Sequence, residues 1–125
     1  MDENALGEKI IGCALTVHKA LGPGLLESVY EVCLTHELRK AGLDVKRQVP
    51  LRVVYDDIEI EAAYRLDLLI ADLVVVEVKA VDATLPLHRA QLLSYLKLGG
   101  YRLGYLLNFH IPLMRDGIHR VVNGL

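Results

Sequence analysis

Residues 74–82 read VVVEVKAVD. The run is short, β-branched and apolar, the signature of a strand buried on both faces. More than any other stretch it constrains the fold. Such a strand needs neighbours on its edges and covering layers above and below, which means a central sheet flanked by helices. Yet Glu77 and Lys79 interrupt it. Residues two apart in a strand share a face, so these two are neighbours and Val76 and Val78 point the other way.

The rest of the chain supplies those layers. Leu6, Ile10, Ala14, Val17 and Leu21 recur at three- and four-residue steps, which predicts a helix over 5–21 ending at Gly22-Pro23-Gly24. A second helix is expected over 25–41, with Leu26, Val29, Tyr30, Cys33, Leu34 and Leu38 as its apolar positions and Gly42 after its end. The period then changes to two. Residues 44–49 read as an edge strand and 51–55 as a strand, with Asp56-Asp57 as a turn. Residues 58–70 run extended and 73–81 form the apolar strand. Pro86 suits the first turn of a third helix, which stops at Gly99-Gly100. RLGYLLNF (102–109) is another buried strand, and IHRVV suggests a short last one. The order is helix, helix, three or four strands, helix, strand, strand: an α/β chain with one central sheet.

Composition bounds the partners. The chain has 125 residues, 53% hydrophobic and 24% charged. That fits one ordinary domain with a real core, and the apolar share leans toward self-association, a homo-oligomer that hides what a monomer exposes. A net charge of −2 excludes a strongly basic nucleic-acid coat, although Lys46, Arg47, Arg52 and Arg65 offer a local basic patch. No run approaches the ~20 apolar residues of a membrane span, and MDENALGEKII lacks the pattern of a signal peptide. A cytoplasmic protein with no membrane partner is expected. Cys13 and Cys33 match no metal-ligand spacing and read as buried free thiols.

Asp67 lies in YRLDLLI, a second apolar strand just upstream of Glu77. A three-residue loop at Ala71-Asp72-Leu73, or a bulge, sets Asp67 opposite Glu77. A two-residue turn sets it opposite Val76 and leaves the carboxylates on opposite faces. In the first register the two acids stand about 4.5–5.5 Å apart at Cβ. Like charges that close repel, and one would protonate unless a cation sat between them. Oxygen ligands with open positions suit Mg²⁺ or Mn²⁺. Lys79 beside such an ion can hold an attacking water and offset charge on a phosphate. The plainer alternative is an exposed Glu77–Lys79 pair worth ~0–1 kcal/mol. Against it, an unused charge in such apolar strands would cost several kcal/mol.

The pattern of Asp67, nine residues, Glu77, one residue, Lys79 resembles the PD-(D/E)XK nuclease superfamily, with Leu66 where that pattern usually has proline. GLLESVY (24–30) fits G-x-x-E-x-x-Y through Gly24, Glu27 and Tyr30. With YRLDLL, EVKAV and AQLLSYL, the chain is similar throughout to the GxxExxY protein family. The resemblance implies a restriction-endonuclease-like core, a central mixed sheet flanked by helices, in a single domain over 1–125. It implies a metal-dependent phosphodiesterase acting on nucleic acid, with DNA the expected partner. Asp67, Glu77 and the backbone carbonyl of Val78 would bind Mg²⁺ or Mn²⁺, and Glu27 would complete the shell. Lys79 would position the water. Gln91 and Tyr95 resemble the Q-x-x-x-Y motif of helicase-associated nuclease domains, where the glutamine holds the site or the strand. Gly24, Tyr30 and Tyr95 would support the site. The plainer roles are a first-turn carboxylate favouring the helix dipole for Glu27, a polar contact for Gln91, a core tyrosine for Tyr95 and a solvent-facing ring for His88. The rival function is a nuclease-like fold that no longer cuts and serves as a binding or assembly module. A third is a metal-dependent hydrolase of a small nucleotide.

Overall fold

The computed structural model describes residues 1–125, the side chain of Ala62 apart. Helix α1 (Glu3–Leu21) begins where the Asp2 carboxylate accepts the Ala5 N–H at 2.8 Å. It buries Leu6, Ile10, Ala14 and Val17, the face its spacing predicts, while Leu21 at its last turn is exposed. Helix α2 (Glu27–Lys40) starts two residues later than expected, because Leu25 gives its N–H to the Tyr30 hydroxyl and Leu26 stays extended. Its buried face is Tyr30, Leu34 and Leu38 together with Glu31 and Thr35, so Leu26 and Val29 are exposed instead. Cys13 and Cys33 are free thiols, half-buried rather than buried.

Five strands follow the order β1-β2-β3-β4-β5. Strand β1 (Val45–Tyr55) is one continuous edge strand, since an edge tolerates the missing N–H of Pro50. It pairs antiparallel with β2 (Ile58–Ile70), which pairs antiparallel with β3 (Val74–Lys79). Strand β3 runs parallel to β4 (Leu103–Asn108), and β4 antiparallel to β5 (Ile118–Val122). The parallel pair is joined by the crossover that carries helix α3 (Pro86–Gly99).

Two apolar layers cover the sheet. Val74, Val76 and Val78 pack with Leu68, Ile70, Tyr105 and Leu107 under α1 and α2. Val75 packs with Leu69, Leu106, Leu92, Tyr95 and Leu96 under α3. A Cβ at Gly104 would stand 3.1 Å from Leu92, which is how closely α3 lies on β4. Each fully buried leucine of these layers is worth ~1.5–3 kcal/mol over leaving it in water. The alternation within β3 puts Glu77 and Lys79 on the α3 face. Among the described residues no helix is long and apolar enough to cross a membrane. Beyond the layers, Val54, Tyr55, Ile58 and Ile60 stand exposed at the tip of the β1–β2 hairpin.

Candidate active site

The β2–β3 connection is the three-residue loop. Ala71 and Asp72 both take left-handed backbone (φ 52° and 56°), and Leu73 N–H closes on the Ile70 carbonyl at 2.9 Å. Lys46 pins the turn through Asp72 at 2.7 Å. The paired residues are then Ile70 with Val74, Leu69 with Val75 and Leu68 with Val76. The next rung would be Asp67 with Glu77, and there side chains replace the backbone ladder. Asp67 N–H donates to Glu77 Oε2 at 2.8 Å, and Val78 N–H donates to Asp67 Oδ2 at 2.8 Å. Each carboxylate thus satisfies a buried amide of the opposite strand. Asp67 Oδ1 and Glu77 Oε1 are left over from that exchange.

Burial sets the charge of this pair. Glu77 is 7% exposed. Burial first, and then the Asp67 charge, pushes its carboxyl up to about 8, against the Asp67 N–H and Lys79, which oppose the shift. Burial also raises Asp67, with Val78 N–H, Lys79 and Gln48 pulling it down and Glu31 pushing it up. Both shifts disfavour a second negative charge here, and they are larger for Glu77, the more buried of the two. A buried carboxylate beside a half-buried one, with an oxygen to spare on each, fits a hard divalent ion that keeps several of its waters. Among the described residues no three His, Cys, Asp or Glu side chains converge to hold a metal by themselves. Glu27 is therefore not gathered with Asp67 and Glu77. It opens α2, and its Oε2 accepts the Ala80 N–H at 3.4 Å, tying the helix to the chain just past Lys79.

Glu27 does help line a cavity of about 260 Å³ with Ser28, Glu31, Gln48, Asp67 and Val78. Glu31 and Gln48 escaped the sequence reading. Glu31 is 6% exposed, with Oε2 bound by Arg47 Nε and Nη2 at 3.1 and 2.8 Å and Oε1 by Gln48 Nε2 at 2.8 Å. The signal was present: Glu31 follows Glu27 by four residues and so shares its helix face. Gln48 gave none, since nothing in its type announces a left-handed backbone in mid-strand.

The motif residues divide. Tyr30 is buried, donates its hydroxyl to the Gly22 carbonyl at 2.6 Å and stacks on Phe109 with centroids 4.7 Å apart. It holds the α1–α2 turn, where Gly24 sits at φ 104°, and so fixes the start of α2. Tyr95 is buried against Tyr64, and burial and then the Glu77 charge raise its hydroxyl. Gln91 is exposed, and among the described residues its side chain has no hydrogen bond. His88 Nδ1 accepts the Leu85 N–H at 3.1 Å, a capping contact. The local basic patch is largely spent on the protein's own acids: Lys46 on Asp72, Arg47 on Glu31 and Arg52 on Glu59.

A family model described as the PD-(D/E)XK nuclease superfamily matches residues 4–121. No curated protein and no solved structure matches the chain.

Proposed function

This chain belongs to the PD-(D/E)XK nuclease superfamily, and on that premise we propose that it is a metal-dependent phosphodiesterase of the GxxExxY branch that cuts nucleic acid, DNA first. The reciprocal Asp67–Glu77 pairing carries the reading, because it sets a buried carboxylate beside a half-buried one and leaves an oxygen on each for a ligand. Asp67, Glu77 and the Val78 carbonyl would hold Mg²⁺ or Mn²⁺, with Glu27 reaching the ion through water. When bound, the ion polarises the scissile phosphate and lowers the pKa of water. Lys79, at the end of β3, holds the attacking water in line and offsets charge that builds on the phosphate. Glu31 pushes the Asp67 carboxyl up, and Tyr95 lies within the field of the two acids. Gln91, on the exposed side of α3, meets the nucleic-acid strand.

The test is the thermal midpoint with and without Mg²⁺ and Mn²⁺, for wild type and Asp67→Asn, followed by cleavage of plasmid and single-stranded substrates. A metal that binds only the folded state adds ~2.7 kcal/mol at a hundredfold excess over Kd. Asparagine keeps an acceptor for Val78 N–H, so a lost midpoint shift reports the metal and not the fold. No shift in wild type would defeat the proposal.

One observation favours the rival reading, a non-cutting binding module: Lys46, Arg47 and Arg52 are paired with acids of the same chain, which weakens a track for phosphates. A metal-stabilised protein that binds nucleic acid and never cuts it would support that rival. The apolar side chains at the hairpin tip support self-association, and sedimentation of the full chain tests it.

A further inference from the structure

Arg47 and Gln48 are neighbours in β1, and a regular strand would send them to opposite faces. Both reach Glu31 of α2. The cause is the backbone of Gln48, at φ 52°, a left-handed value uncommon for a residue with a Cβ. The register does not slip there: Arg47 pairs with Leu68 and Val49 with Leu66. Instead the ribbon turns over. Val45 and Leu68 pack in the layer under α1 and α2, whereas Val49, Leu51 and Leu66 pack in the layer under α3. The rung at which this happens is Gln48 opposite Asp67.

The turnover places one amide between two acids. Gln48 Nε2 donates to Glu31 Oε1 at 2.8 Å and reaches Asp67 Oδ1 at 3.5 Å, the outer limit of a hydrogen bond. Arg47 holds the other oxygen of Glu31, so Glu31 is a fixed anchor for the amide. Asp67 Oδ2 is already held by Val78 N–H. Gln48 therefore governs the oxygen of Asp67 that has no backbone partner. A neutral amide suits this place, since it donates to both carboxylates without neutralising either one.

We propose that Gln48 is a positioning residue, which holds Asp67 Oδ1 in place for the cation through the Glu31–Arg47 anchor. This rests on the proposed function above. It also accounts for a left-handed residue in mid-strand. Backbone strain persists where the surroundings hold it, and sites of binding are where it collects.

Glycine separates the two roles of the residue, because it adopts this backbone freely yet brings no amide. The experiment is Mn²⁺ titration of the full chain, read by the free-ion electron paramagnetic resonance signal, with the metal-free thermal midpoint measured alongside. Wild type, Gln48→Gly, Gln48→Asn and Asp67→Asn are compared. Gln48→Gly should keep or raise the metal-free midpoint while weakening Mn²⁺ by about 10–100-fold, the usual effect of losing a partner behind a ligand. Gln48→Asn tolerates the backbone but is one carbon shorter, and should weaken Mn²⁺ as well. Unchanged Mn²⁺ affinity in Gln48→Gly, with wild type binding and Asp67→Asn not, would overturn this inference alone. A collapsed midpoint in Gln48→Gly would also overturn it, by making the side chain a support of the fold. Absence of Mn²⁺ binding in wild type would remove the proposed function and this inference together.

Discussion

Asp67 and Glu77 each hold the other's strand. The Asp67 N–H donates to the Glu77 carboxylate, and the Asp67 carboxylate accepts the N–H of Val78, next to Glu77, both at 2.8 Å. The acids are thus parts of the sheet as well as of the site. Substitutions that keep an acceptor should spare the fold, and those that remove it should not.

Glu77→Gln tests this through pH. The Glu77 carboxyl is raised from its ordinary 4.5 to about 8. Between these values the folded protein holds a proton that the unfolded chain has released. Stability from this group is therefore complete below pH 4.5, falls as pH rises, and is gone above about 8, a change on the order of a few kcal/mol. Glutamine copies the protonated acid and keeps the acceptor for Asp67 N–H. The variant should lose most of that pH dependence and be more stable than wild type at pH 8–9, as urea melts at several pH values would show. It should also lose the metal-induced midpoint shift and cleavage. A variant that cuts at the wild-type rate would remove Glu77 from the site.

Lys79→Ala should behave differently. The lysine favours the ionised acids of the pair but gives no ligand atom. Removing it takes a cation from beside the metal position, so Mn²⁺ affinity should hold or tighten. Cleavage should fall by about 10²–10³-fold, the usual scale for losing one stabiliser of transition-state charge. A parallel loss of metal binding would mean that the lysine organises the acids instead.

Much of this was legible in the sequence, for local reasons. The β-branched run fixed β3, a period of two fixed the faces of Glu77 and Lys79, and the requirement that Asp67 meet Glu77 demanded an odd loop, which Ala71-Asp72-Leu73 provides. What escaped depends on tertiary context. Leu26 and Val29 fit an apolar helix pattern, yet α2 turns Glu31 inward, where Arg47 holds it from β1. The basic patch reads as free charge in one dimension, and in three all of it but Arg65 is paired with acids.

Tyr30→Phe isolates the G-x-x-E-x-x-Y turn. Phenylalanine keeps the stack on Phe109 and loses the hydroxyl's bonds to Gly22 and Leu25. The cost should be ~1–3 kcal/mol in urea unfolding, since a part-buried carbonyl loses its donor. Because the turn sets where α2 begins, amide exchange should quicken at residues 25–30. Unchanged stability would show that the stack alone carries the motif.

Gln91 and Tyr95 should then separate, although one motif joins them. Gln91 is exposed, so Gln91→Ala should move stability by no more than about 0.5 kcal/mol. It should leave Mn²⁺ affinity alone and weaken binding of an oligonucleotide. Tyr95 packs on Tyr64 and lies within the field of Glu77 and Asp67. Tyr95→Phe keeps the packing and removes a hydroxyl from beside the acids, so it should alter the pH profile of cleavage with little effect on oligonucleotide affinity. Anisotropy titrations and pH–rate profiles of the two variants, taken side by side, decide this. If Gln91→Ala changes neither binding nor cleavage, the exposed glutamine has no part in the reaction, and contact with the strand must come from another surface.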